Sequence, residues 1–311
     1  MNDVLRVVQP GLFTTIQDLG RPNAMPAGVP TGGAMDRFAH RAANLLTGND
    51  EGAATLECTL SGPVLVALRP CLVAITGADF DPRVNGRPAP MWTGVFLSEG
   101  DELSFAGRRW GARAYIAVAG GFAGDRWLGS LSTSLLAARG GMHGRLLSAE
   151  DVIAISGALA TPAIAGREMK PDYRPGYADR TLSAIPGPHI RRLSSEGRKA
   201  FFGSAFELSR DADRMGYRLE GPVLDVSGEE LLSFGLVAGA VQVPRSGHPI
   251  LLMADHQTAG GYPIVATVVT AAMPVAAQLL PGDELTFAEV GIETALRMRA
   301  AQRAALDSLK S

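Results

Sequence analysis

The chain has 311 residues, 46 % of them apolar and 19 % charged, with a formal net charge of −2. That length builds one large domain or two medium ones around a sizeable core. The near-neutral balance argues against nucleic acid or an acidic membrane surface as a partner, and two cysteines in a chain this long argue against a disulfide-dense secreted scaffold.

The N-terminus, Met1-Asn2-Asp3-Val4, lacks a basic stretch followed by an apolar one, so no signal peptide is expected. Apolar runs are interrupted, as Pro274 interrupts Thr267 to Leu280, so no membrane span is expected. The expected location is the cytoplasm. Glycine (37) and proline (20) are plentiful and dispersed. Short runs rich in Val, Ile, Leu and Thr lie between them, the signature of an all-β barrel or sandwich.

The first polar segment comes early. Thr14 to Pro22 carries Asp18 and Arg21, and Gly28 to Asp36 adds Gly32, Gly33 and Asp36. Glycines let backbone N–H groups approach a ligand, and Arg21 can clamp a carboxylate or phosphate through two parallel bonds. Equally, Asp18 and Arg21 can pair to hold the loop while Asp36 only caps a helix. That helix is predicted from Arg37 to Leu46, with Phe38, Ala42 and Leu45 on one face and Gly48 as its stop. Glu57, at the end of an apolar run, reads as a buried acid or as the partner of an arginine.

Strands are predicted at Pro63–Leu68, Leu72–Thr76 and Ala114–Val118; the phrases Ala119-Gly120-Gly121-Phe122 and Gly129-Ser130-Leu131-Ser132-Thr133 read as backbone anion nests or equally as tight turns. A polar, proline-containing stretch from Ala160 to Arg180 looks like a linker. A short helix capped by Ser195 runs to Phe202. Strands follow at Val241–Val243, Ile250–Met253 and Ile264–Val269, and a terminal helix at Glu293–Leu309. The second polar segment, Asp255-His256-Gln257-Thr258-Ala259-Gly260-Gly261-Tyr262, lies between two of these strands and near the turn that begins at Gln242. Asp255 can serve there as a general base, with Gln257, Thr258 and Tyr262 holding a polar substrate. The competing reading is a hydrogen-bonded turn that closes a barrel.

Two phrases recur in the same order. Glu99-Gly-Asp-Glu-Leu-Ser-Phe-Ala106 returns as Pro281-Gly-Asp-Glu-Leu-Thr-Phe-Ala288, and Leu60-Ser-Gly-Pro-Val-Leu65 as Leu219-Glu-Gly-Pro-Val-Leu224, with a longer spacing in the second copy. The repeat implies two related β-rich halves. No phosphate loop, H-E-x-x-H, C-x-x-C or G-x-S-x-G occurs, and the five histidines are scattered, so no metal site is expected.

At these segments the chain resembles the family of 5-oxoprolinase C-type subunits, also called allophanate hydrolase subunit 2-like or biotin-dependent carboxyltransferase. The matching residues are Gln17-Asp18-Leu19-Gly20-Arg21, Gly32 to Asp36, Ala43-Asn44-Leu45-Leu46 with Gly48-Asn49, Leu56-Glu57 and Gly129 to Thr133. Arg214 to Gly221, Gln242-Val243-Pro244, Asp255 to Thr258 and Gly260 to Pro263 continue the series.

The resemblance implies a mainly β fold of two cyclophilin-like β-barrel halves with a few short helices and a C-terminal helix. The expected limits are 1–165, a linker at 166–180, 181–290, and a terminal helix at 291–311. It implies an ATP-dependent cyclic-amide hydrolase, using ATP with Mg, that opens 5-oxoproline to glutamate. The implied partners are a B-type subunit (allophanate hydrolase subunit 1-like) and an A-type subunit (LamB/YcsF-like), without which the chain is expected to be inactive. Asp18, Arg21 and Asp255 are the expected catalytic residues. Gly32, Gly33, Asp36, Glu57, Gln242, Gln257, Thr258, Gly260, Gly261 and Tyr262 are the expected substrate contacts.

The alternatives are a carboxyltransferase component acting on urea or a similar small amide, with biotin supplied by another chain, and a non-catalytic regulatory binder. The sequence departs from the family pattern at His256, where an arginine is expected, and at Ala272, where an acid is expected. It departs again at Asn23 to Pro26, which lacks an aromatic.

Overall fold

The structure, a computed structural model, describes residues 2–158 and 164–310. The chain forms two compact units. The first takes the residues up to Arg21, Gly32–Pro175 and those from Arg303 on; the second takes Pro22–Thr31 and Gly176–Gln302. The division at Pro175 lies inside the stretch read as a linker. Residues 159–163, at the start of the Ala160–Arg180 stretch, lie outside the described residues. Two exchanges differ from the expected limits: a 3-10 turn at Pro22–Ala27 groups with the second unit, and the chain end groups with the first.

In the first unit the strands are β1 (Asp3–Gln9), β2 (Phe13–Gln17), β3 (Thr55–Thr59), β4 (Val64–Ala67), β5 (Cys71–Asp79) and β6 (Pro82–Val84). They continue as β7 (Arg87–Pro88), β8 (Gly94–Leu97), β9 (Glu102–Phe105), β10 (Trp110–Val118) and β11 (Val152–Ala154). They make a six-stranded sheet, β11-β1-β4-β9-β6-β7, and a five-stranded sheet, β2-β3-β10-β5-β8. Their facing residues, among them Leu5, Leu65 and Leu103 from one sheet and Ile16, Leu56, Ile75 and Ile116 from the other, share one core.

β5 and β10 are buried along most of their length because helix α1 (Arg37–Leu46) covers their second face; Thr76 Oγ1 donates to the Ala39 carbonyl at 2.7 Å. The α1 boundaries agree with the sequence reading. Asp36 Oδ1 accepts from the Phe38 and Ala39 N–H groups at 3.1 and 2.9 Å. The helix is buried on more than one face, so it carries His40 and Asn44 into the interior. Burial strips the His40 imidazole of solvent and lowers its pKa to about 3, so it stays neutral beside Thr55 Oγ1, 2.9 Å away.

In the second unit the strands are β12 (Thr181–Pro186), β13 (Phe206–Leu208), β14 (Gly216–Glu220), β15 (Phe234–Gly235) and β16 (Ala240–Gln242). β17 (Ile250–Leu252), β18 (Ala259–Gly260), β19 (Ile264–Val268) and β20 (Glu284–Glu289) complete the set. Seven of them close into a barrel, β12-β19-β16-β17-β14-β13-β20, while β15 and β18 pair separately. Closure comes from parallel pairing of β12 with β20, Thr181 opposite Thr286. Leu182, Phe206, Tyr217, Leu219, Val241, Leu251 and Phe287 are buried and alternate along their strands with outward positions.

Helix α2 (Ser195–Gly203) stacks Phe201 on Phe287 at 4.6 Å between centroids. Its cap is Ser194, not Ser195: the Gly197 N–H donates to Ser194 Oγ at 3.0 Å. A short helix, α3 (Met273–Ala277), occupies the Pro274 region. The terminal helix α4 is Ile292–Asp307, slightly offset from the expected Glu293–Leu309.

The repeat is visible in the fold. Asp101 Oδ2 accepts from the Ser98 N–H at 2.7 Å before β9, and Asp283 Oδ2 from the Leu280 N–H at 2.8 Å before β20. Gly100 and Gly282 take the same left-handed conformation, φ +85° and +89°. The other phrase diverges: Gly62-Pro63 leads into β4, but Gly221-Pro222 follows β14 and leads into no strand.

The chain end is fixed by charge. Glu51 accepts from Arg303 at 2.6 and 2.8 Å and from Lys310 at 2.8 Å, over the buried Leu306 and Leu309. The Arg303 hydrogen bonds lower the Glu51 pKa to about 2. A lowered folded-state pKa stabilises above the ordinary value and fades as pH falls through the folded one. Glu51→Gln is therefore expected to lose on the order of 1–3 kcal/mol at neutral pH. The gap to the native chain should close between about pH 4.5 and 2 when urea denaturation is followed across that range.

Candidate functional site

The first polar segment is built around a buried carboxylate. Asp18 Oδ1 accepts from the Gly20 N–H at 2.7 Å and from the Ser130 and Ser132 hydroxyls at 2.6 Å each; Oδ2 accepts from the Leu131 N–H at 2.7 Å. Burial alone would raise the Asp18 pKa, but these four donors outweigh it and hold the value below the usual one. Arg21 is equally committed. It donates to the Ser132 carbonyl, and its guanidinium lies 4.8 Å from the Trp127 ring centroid. The Gly129–Thr133 phrase is thus the partner of the Asp18–Arg21 phrase.

Gly33 is required for close approach. A Cβ there would lie 2.8 Å from the Gly20 nitrogen, and φ is +91°; Gly32 is left-handed as well, at +65°. Asp36 caps α1. Glu57 Oε2 accepts from Tyr115 Oη at 2.7 Å and from the Met35 N–H at 2.8 Å, and Tyr115 Oη accepts from the Asp36 N–H at 2.7 Å. Burial, then the Glu57 and Asp36 charges, push the Tyr115 hydroxyl well above its ordinary pKa. Both clusters are closed hydrogen-bond circuits around α1 and the end of β2.

The second unit contains a cavity of about 950 Å³. Its floor is the outer face of the barrel. Gly216 and Arg218 from β14, Ile250 and Leu252 from β17, and Gln242 from β16 line it, while their neighbours Tyr217, Leu251 and Val241 point inward. Ile250 lies opposite Arg218 on one side and opposite Gln242 on the other, so these three residues form a row across the strands. The walls are loops: Val226–Leu231, Pro244–Ser246, and the Gln257–Pro263 segment with Gly261 and Tyr262.

Of the residues expected from sequence, Gln242, Gln257, Gly261 and Tyr262 line this cavity. Gly260 presses against both carboxamides: a Cβ there would lie 2.7 Å from Gln257 Nε2 and 3.5 Å from Gln242 Nε2. The Thr258 carbonyl receives the Leu236 N–H at 3.0 Å. Asp255 receives Arg214 through two bonds, at 2.7 and 3.2 Å, and anchors the segment from behind. His256 is buried, with Nδ1 2.6 Å from the Gln257 carbonyl oxygen. Arg218, Arg192 and the Val226–Leu231 wall also line the cavity and are not among the residues expected from sequence. The signal for Arg218 is the alternation of Gly216-Tyr217-Arg218-Leu219-Glu220, which places it outside once Tyr217 and Leu219 are inside.

The match to known proteins spans the chain. The family model described as "Carboxyltransferase domain, subdomain A and B" matches residues 27–289. The chain belongs to this family. It is 37 % identical to the C-type subunit of 5-oxoprolinase from Escherichia coli, over 98 % of this chain and 97 % of that protein. It is 33 % identical to the protein of the same name from Haemophilus influenzae, over 95 % and 94 %. Among solved structures, the urea amidolyase of K. lactis superposes with a TM-score of 0.93 at 26 % identity, covering 99 % of this chain and 20 % of that one. As a carboxyltransferase-family chain it carries the mainly β fold that the resemblance implied; the second unit is a closed seven-stranded barrel and the first is built of a six- and a five-stranded sheet. Among the described residues no helix is long and apolar enough to cross a membrane.

Two outcomes test these assignments. Asp18→Asn turns an amide N–H₂ toward groups that already donate, so it is expected to cost about 2–4 kcal/mol in equilibrium denaturation. Gly261→Ala brings a Cβ to 2.7 Å from the Leu231 carbonyl oxygen. It should displace the wall and lower stability by about 1–3 kcal/mol, read as a lower urea midpoint.

Proposed function

We propose that this chain is the C-type subunit of a cytoplasmic, ATP-dependent 5-oxoprolinase assembly and that the second-unit cavity receives the lactam ring. The carrying observation is the row Arg218–Ile250–Gln242 with Gln257 and Tyr262 in the wall beside it: a guanidinium, an apolar floor and two carboxamides in a space whose walls also carry Arg192, Arg245, Asp211, Asp213, Glu229 and Glu230. The names of its relatives support this reading.

A lactam is a poor electrophile. ATP, with Mg, can supply the missing leaving group: the amide oxygen takes the γ-phosphoryl group and ADP departs. Water then adds to the activated carbon and the ring C–N bond breaks to give an acyl phosphate. A second water releases phosphate and glutamate. The cavity's polar groups serve binding and orientation in this scheme. The wall cations are already engaged, Arg192 with the Glu229 carbonyl at 2.6 Å and Arg245 with Glu230 at 3.0 Å. The nucleotide is accordingly assigned to the A-type and B-type partner chains. Asp255, held by Arg214, positions the Gln257–Tyr262 loop, and Asp18 and Arg21 maintain the first unit.

The second reading, carboxyl transfer from a biotin carried by another chain to urea or a similar amide, draws on the superposition with urea amidolyase. Reconstitution with matched A- and B-type subunits separates the two. We expect ATP-dependent glutamate release from 5-oxoproline, little or no turnover by this chain alone, and no carboxylation of urea. Absence of glutamate release from folded, assembled subunits would overturn the proposal.

A further inference from the structure

Within that reading, we infer that Arg218 determines specificity by binding the ligand's carboxylate, so that the cavity selects an anionic lactam over a neutral amide or urea. Arg192 and Arg245 are engaged by the cavity wall, and Asp213 Oδ1 accepts from the Met215 and Gly216 N–H groups at 2.8 and 3.1 Å, which fixes the turn before β14. Arg218 is different: among the described residues it takes part in no ion pair, yet it projects from the cavity floor. A guanidinium on a strand-built floor presents a planar fork of donors, and a carboxylate matches it with two parallel bonds.

Geometry then orients the rest of the ligand. Strands in a sheet lie about 4.8 Å apart, which sets the Arg218 and Gln242 backbones roughly 10 Å apart with Ile250 between them. A five-membered lactam carrying one carboxylate spans such a gap. Its ring methylenes rest on Ile250 and its amide edge faces the carboxamides of Gln242 and Gln257, the former 1 % exposed. Tyr262, 48 % exposed, stands at the rim where it can close over the ring. Urea fills the carboxamide end only and leaves the guanidinium without a partner, and 2-pyrrolidinone, the same ring without the carboxylate, does likewise.

The test is direct binding to the isolated chain, by calorimetry or ligand-observed NMR, with 5-oxoproline, 2-pyrrolidinone and urea. The native chain is expected to bind 5-oxoproline about 10- to 100-fold more tightly than 2-pyrrolidinone. Arg218→Gln should remove that difference by weakening 5-oxoproline alone, and Arg218→Lys should retain part of it. Arg210→Gln, the same charge change at an exposed position off the cavity, should leave both affinities within about twofold. Equal loss of both ring ligands in Arg218→Gln, unchanged selectivity, or no binding of 5-oxoproline by the native chain up to ~20 mM would overturn the inference. Binding is read on the chain and glutamate release on the assembly, so the inference and the wider function can fail separately.

Discussion

Closure of the second barrel is the constraint from which its site follows. In a closed sheet every inward position is filled by a side chain, and the period of two then sends every alternate residue outward. Tyr217, Leu251 and Val241 fill the interior, so Arg218, Ile250 and Gln242 have no freedom to do so. A one-residue slip of β14 against β17 would exchange Arg218 with Tyr217 and bury a guanidinium in an aromatic core. The register that makes the core is therefore the register that makes the cavity floor.

In the first unit the organising interactions are polar and buried. A carboxylate removed from water is tolerated only when donors replace its solvation, and Asp18 has four. They come from Gly20 and from Ser130 to Ser132, so one carboxylate joins segments more than a hundred residues apart in sequence. The Glu57–Tyr115–Asp36 circuit does similar work at the start of α1. Asn49 repeats the logic at the other end of that helix, donating to the Val118 carbonyl and accepting from the Gly120 N–H, both at 2.8 Å. Such networks specify one arrangement, because most alternatives leave a buried polar group unmatched.

Much of this is legible in the sequence. The Asp36 cap, the extent of α1, the β5 and β10 runs and the Gly-Asp turn repeated at 100 and 282 all rest on local rules, and local rules act through neighbouring residues. What is illegible is long-range. Asp18 and Arg21 look like a ligand clamp because an Asp and an Arg among glycines have the same composition whether they hold a ligand or a loop. Ser130 and Ser132, which distinguish the two cases, are far away in sequence. Conversely, Arg218 lies in the Arg214–Gly221 phrase that matches the family but is not marked as a site residue, because only barrel closure places it in one row with Gln242. The expected Ser195 cap is off by one because both Ser194 and Ser195 satisfy the same rule, and the choice rests on which hydroxyl reaches the Gly197 N–H.

The two units show how one repeated plan leads to different capacities. Both contain the same aspartate-closed turn before a pairing strand. In the first unit the second face of β5 and β10 is covered by α1, whose Ala39, Ala42 and Ala43 are fully buried. A helix packed through small residues approaches the sheet closely and covers that face at the density of a protein interior. In the second unit the outward face of β14, β17 and β16 is covered instead by Val226–Leu231 and Gln257–Pro263. A loop cannot match the regular ridges of a sheet, and its own N–H and C=O groups need partners, so it spans the face rather than filling it. The space left beneath is lined by polar side chains that a core would exclude. The cavity thus lies in the unit whose sheet face is covered by loops, and its Val226–Leu231 wall falls within the longer second copy of the repeat, between Gly221 and Gly282.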